Sequence, residues 1–140
     1  MSGETAARGL IDTNILIRLA MVDPDELPAE LVICAVTLAE LSAGPHFAEE
    51  PAERARRISV LQHAEATFEP LPFDADAARA YGVVSAAVAA VGRKPRRRIA
   101  DLMIASVAIV HGLPLYTANP ADFAGLDDLV AVVPVRRTRG

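Results

Sequence analysis

The stretch Arg8-Gly9-Leu10-Ile11-Asp12-Thr13-Asn14-Ile15-Leu16-Ile17-Arg18-Leu19-Ala20 holds the transition that decides the fold. Arg8 to Ile11 reads as a short buried strand ending at Asp12, and Asn14 to Ala20 runs on as a helix. The aspartate thus stands at a strand's carboxyl end, the edge at which parallel α/β sheets bind ligands.

Further along, a loop rich in Asp and Pro (22–30) leads to a second strand, Leu31 to Cys34. Thr37-Leu38-Ala39-Glu40 has the spacing of a capping box that starts a helix, and Gly44 followed by Pro45 stops it. Residues 51–65 alternate arginines and acids with Ile58 and Leu61, an amphipathic surface helix, and Thr67 to Leu71 reads as a short edge strand. Asp74 to Val91 is an alanine-rich helix, and Gly92 to Arg98 a basic loop. A nearly all-apolar helix then runs from Ile99 to Gly112, with Pro114 just beyond. Leu115 to Thr117 and Leu129 to Val133 are the last expected strands. Strands alternating with helices, without a repeat, predict the α/β class: a three-layer α/β/α fold around a mostly parallel sheet.

A chain of 140 residues suits one domain, expected over 1–140 with a core at about 9–133 and short terminal tails. With 52% hydrophobic and 23% charged residues it does not have the composition of a disordered chain. Cys34 is its single cysteine, which excludes an intramolecular disulfide and a cysteine-rich zinc site and points to the cytoplasm. Met1 to Arg8 lacks the apolar stretch of a signal peptide, and no uncharged apolar run approaches the ~20 residues that span a bilayer, so no membrane association is expected. The net charge of −4 weighs against a general nucleic-acid binder, but it is unevenly spread. Acids crowd the first half, whereas Arg93, Lys94, Arg96, Arg97, Arg98, Arg136, Arg137 and Arg139 lie in the second.

Three carboxylates sit where a carboxylate is locally awkward: Asp12 after an apolar strand, Glu40 within Val36 to Leu41, and Asp101 within Ile99 to Ile104. Burying an unpaired carboxylate is costly, so each needs a partner. Each has a structural reading: Asp12 caps the following helix, Glu40 completes a capping box with Thr37, and Asp101 satisfies a helix dipole. Taken together, a strand end and the first turns of two helices bring the three to one cleft, where they repel one another unless divalent cations fill it. Ligands made only of oxygen suit Mg2+ or Mn2+ rather than zinc, and two such ions ~4 Å apart are the usual apparatus for attack of water on a phosphodiester.

Leu10 to Leu16, Leu38 to Leu41, Ile99 to Ala105 and Leu115 to Phe123 resemble, in order, the four motifs of PIN-domain ribonucleases. The resemblance covers about Gly9 to about Val133, and the small size with an arginine-rich loop before Asp101 is similar to VapC toxins of actinobacterial type. It implies a Mg2+-dependent endoribonuclease leaving a 3′-hydroxyl and a 5′-phosphate, homodimeric and inhibited by a cognate VapB antitoxin. Carried over by position, Asp12 and Asp101 are the main metal ligands, Glu40 helps hold or orient the metal or its water, Thr13 or Asn14 supports the site by hydrogen bonds, and Thr117 lines the cleft. The chain departs from the pattern at Asn119, where many members carry a fourth acid; Asp122 fits the later acidic position before Phe123. The implied partner covers the helices at 14–20 and within 36–61 with an amphipathic segment and sends an arginine into the acidic cleft.

Arg93, Arg96, Arg97 and Arg98 precede Asp101 closely, placed either to contact RNA phosphates beside the cut or to act as counter-charge to the acids. His46, His63 and His111 lack metal-ligand spacing and fit surface or capping roles. Ser42, Ser59, Ser85 and Ser106 lack a nucleophile-elbow context, and no glycine-rich phosphate loop is present. A phospho-acceptor domain would need a lysine after a late strand, whereas the only lysine, Lys94, precedes a helix. Two other functions share these residues: a PIN nuclease of ordinary RNA processing, and a non-catalytic RNA- or antitoxin-binding module acting as co-repressor.

Overall fold

Strand β1 (Arg8–Ile11) is apolar on successive residues because both its faces are covered, and Gly9, Leu10 and Ile11 are all buried. Consecutive side chains of a strand point to opposite faces, so Leu10 enters one hydrophobic core and Ile11 the other. The same division separates Val32 from Ile33 and Leu115 from Tyr116. The computed structural model describes residues 7–136. Most of the expected tails, with Arg137 and Arg139, lie outside them.

Four parallel strands, β1, β2 (Glu30–Val32), β3 (Leu115–Thr117) and β4 (Val132–Pro134), form one sheet in the order β2-β1-β3-β4. Helices α4 (Ala75–Ala90) and α5 (Ile99–His111) bury Ala77, Val84, Val88, Leu102, Ala105 and Ala108 in the core on one face. On the other, α1 (Thr13–Ile17), α2 (Ala35–Ala43) and α3 (Pro51–Thr67) contribute Ile15, Leu16, Leu41 and Ala64. This is the three-layer α/β/α architecture expected. No helix among the described residues is long and apolar enough to cross a membrane.

Several boundaries differ, each for a local reason. Helix α1 ends at Ile17 and is followed by a 3-10 turn at Leu19–Met21; an almost uniformly apolar run gives no periodicity that would mark its end. The expected edge strand at 67–71 shrinks to a single bridge between Cys34 and Leu71, because Pro70 and Pro72 on either side of Leu71 have no N–H with which to extend a ladder. Strand β4 starts late, since Leu129 and Val130 donate back to Leu126 in a turn. Helix α2 starts at Ala35 with Cys34 as its cap residue, so Thr37 is inside the helix and the expected capping box does not form. Gly44 stays right-handed (φ −49) and leads into a 3-10 turn at Gly44–Phe47. Gly112 closes α5 in the left-handed region (φ 63) that glycine adopts without a steric penalty.

Candidate active site

The carboxyl ends of β1 and β3 lie side by side, with Ile11 in register with Tyr116. This places Asp12 next to Thr117. Asp12 is the cap residue of α1, accepting a hydrogen bond from the Ile15 N–H at 3.0 Å, and is only 4% exposed. Burial pushes its carboxyl above the ordinary range; hydrogen bonds from Thr117 and Ile15 oppose that, and the charge of Asp122 adds to it. Capping and membership of an acidic centre are therefore not alternatives, because one side chain does both.

Asp101 lies in the first turn of α5 and is part-buried. Its carboxyl is pushed up to about 6, first by burial and then by the charges of Asp122, Asp12 and Glu40, with Arg98 pulling the other way. The four acids from β1, α2, α5 and the 3-10 turn Pro120–Phe123 thus share one electrostatic neighbourhood, with Asp101 as its hub.

Glu40 is in the second turn of α2, not the first as expected, and is exposed. The Thr13 hydroxyl lies 2.5 Å from Glu40 Oε1 and 3.0 Å from the buried Thr37 hydroxyl. One hydroxyl carries one proton, so when Thr13 donates to the Glu40 carboxylate it must accept from Thr37. Thr37 was read from sequence only as a cap; its part in this relay becomes visible only when α1 and α2 are set side by side.

Asp122, and not Asn119, faces the other acids: it raises both Asp12 and Asp101 and pairs with Arg98 at 3.2 Å. Asn119 is exposed, and its backbone N–H donates to Thr117 Oγ1 at 3.0 Å. Asn14 is exposed beside Thr13 and makes no side-chain hydrogen bond among the described residues.

The basic segment divides. Arg98 is the counter-charge to Asp122 and Asp101, and Arg93 is tied to the Ala121 carbonyl at 3.0 Å. Arg96 and Arg97 are exposed and, among the described residues, make no side-chain hydrogen bond or ion pair.

Among the described residues, no three His, Cys, Asp or Glu side chains are gathered so as to hold a metal ion as they stand. The acids nonetheless fit a hard divalent cation in chemistry: all their donor atoms are oxygen, and their mutual repulsion at Asp101 is what a cation would relieve.

The sequence model of the PIN domain matches residues 9–129. Ribonuclease VapC5 of Mycobacterium tuberculosis is 38% identical over 135 residues, 94% of this chain and 97% of the relative. Ribonuclease VapC4 of the same organism is 34% identical over 128 residues, 89% and 95% of the two chains. Among solved structures, VapBC-5 from M. tuberculosis, a member of the VapBC family of toxin–antitoxin systems, has a TM-score of 0.79 at 38% identity and covers 93% of this chain and 98% of that one.

Proposed function

The chain belongs to the PIN-domain family and its VapC toxin branch, and from that premise we propose that it is a metal-dependent endoribonuclease acting as the toxin of a VapBC-type pair. The observation that carries the reading is the convergence of Asp12, Glu40, Asp122 and Asp101, with the Asp101 carboxyl pushed up to about 6 by burial and by the other three. Carboxylates held together against their own repulsion suit a centre that takes up Mg2+ or Mn2+.

Asp12 and Asp101 would be the main ligands, with Glu40 beside them. When bound, the cation would supply a water of lowered pKa and neutralise charge on the phosphate oxygens. The chain's own residues prepare the place. Thr117 and the Ile15 N–H fix the Asp12 carboxyl, and Thr13, backed by Thr37, holds Glu40 at α2. Arg98 holds Asp122, and Arg96 and Arg97 are free to meet backbone phosphates of the RNA. Cleavage by water at such a centre leaves a 3′-hydroxyl and a 5′-phosphate. A VapB-like antitoxin in the cytoplasm and a second copy of this chain complete the proposed assembly; the antitoxin is supported by the toxin–antitoxin complex among the solved relatives.

Substitution of Asp12 or Asp101 by Asn is expected to abolish RNA cleavage with the circular dichroism spectrum retained. A folded variant as active as the parent, with or without metal, would contradict the assignment.

A further inference from the structure

The surface opens into a cleft on either side of α1. The larger, about 430 Å³, lies between α1, α2 and α3, with Ile17, Leu41 and Val60 as an aliphatic floor and Arg18, Arg56 and Arg57 at its sides. The smaller, about 110 Å³, lies between α1 and the segment after β3, at Ala118 and Asn119. Asn14 and Arg18, four residues apart and so on one face of the chain, line both. Each cleft meets the acidic centre at one end: the larger through Glu40, the smaller through Asn119, whose backbone N–H bonds to Thr117.

The arginines around the larger cleft differ in freedom. Arg57 is fixed by Glu53 at 2.9 Å and by the Gly44 carbonyl at 2.8 Å, and Arg56 shares the same Glu53. Arg18 is exposed, and its guanidinium makes no hydrogen bond or ion pair among the described residues. An unpaired guanidinium between two clefts that both lead to a phosphodiester-cleaving centre is placed for a phosphate, which its planar fork of donors matches. The larger cleft falls within the range of about 300–1,000 Å³ usual for small-ligand pockets, and its apolar floor suits a flat base rather than another charge.

We infer that Arg18 contacts a phosphate of the RNA strand as it crosses α1, and that the larger cleft seats the base next to the cut on Ile17 and Val60. This rests on the ribonuclease reading. The strand would then pass from one cleft to the other over Asn14 and Arg18, and the cleft floor would set a base preference beside the scissile bond.

The test uses full-length protein carrying Asp101→Asn, so that RNA is bound and not cut, and a short single-stranded RNA followed by fluorescence anisotropy across a salt series. Adding Arg18→Ala should weaken binding roughly ten-fold and flatten the slope of log K against log salt by about one phosphate contact, with Arg18→Lys recovering part of the loss. In otherwise native protein, Arg18→Ala should leave Mn2+ binding by calorimetry unchanged, and Ile17→Ala should alter base preference at one position beside the cut in a randomised RNA pool. Equal RNA binding with and without Arg18 at every salt concentration overturns the inference while parental cleavage, measured in parallel, keeps the nuclease reading. Arg18→Ala that spares RNA binding but abolishes retention of a co-expressed protein partner also overturns it, assigning the cleft to that partner. A parent that neither binds nor cleaves RNA removes both.

Discussion

Asp101 carries most of the conflict in the acidic centre, because burial and three neighbouring carboxylates all favour its neutral form. Its carboxyl, pushed up to about 6, keeps a proton in the folded chain at pH values where the unfolded chain has lost it. From roughly pH 4 up to that value the folded state binds more protons, so this group lowers stability as pH rises. Without metal, Asp101→Asn should therefore be more stable than the parent near neutral pH, by about 1–2 kcal/mol once solvent screening of a half-buried group is allowed for, with no advantage below about pH 4. Thermal melts of both proteins in EDTA across pH check this; parallel profiles would remove the repulsion from the account. Thr13 offers a second probe, since Thr13→Val takes away the donor to Glu40. The variant should lose about 10- to 100-fold in cleavage, the usual cost of a supporting hydrogen bond around a metal, with a melting temperature near the parent's. Full activity would show that Glu40 needs no such anchor.

At the level of elements, β1 is the most tightly constrained. A Cβ on Gly9 would lie 2.4 Å from Tyr116 Cε1 and 3.0 Å from Pro28 Cγ, and the Tyr116 ring is buried and cannot swing out. Gly9→Ala should therefore destabilise the protein by about 1–3 kcal/mol through overpacking, read as a lower denaturant midpoint; an unchanged midpoint would mean that β1 and β3 separate easily. The importance of this strand was legible in the sequence because a short apolar run ending in a carboxylate has few other readings. The gathering of Asp12, Glu40 and Asp101 was legible as well, since each interrupts an apolar segment. The ends of α1 and β4 were not, because uninterrupted apolar residues show no period. Thr37 was misread, as a hydroxyl three residues before a glutamate resembles a cap whether or not a helix begins there. The division of labour among the arginines was also hidden: the sequence shows six residues of basic loop, and only the packing of the Pro120–Phe123 turn against α5 distinguishes Arg98, paired with Asp122, from Arg96 and Arg97.

Across the whole molecule, the two hydrophobic cores hold a parallel sheet whose carboxyl edge gathers acids from four separate segments, while the arginines of α1, α3 and the loop before α5 surround that edge. A cation bound only by the folded chain stabilises it by mass action, by about 2.7 kcal/mol at a concentration 100 times its dissociation constant. Mn2+ should accordingly raise the parent's melting temperature and have little effect on Asp101→Asn; equal shifts in both would place binding elsewhere. The central claim, that this acidic edge cuts RNA with the help of a divalent cation, is met most directly by incubating antitoxin-free protein with total RNA in Mg2+, in Mn2+ and in EDTA, beside Asp101→Asn. The account predicts discrete cuts with either metal, none in EDTA, and none with the variant; cleavage that persists in EDTA and in Asp101→Asn, or no cleavage by the folded parent under any condition, would contradict it.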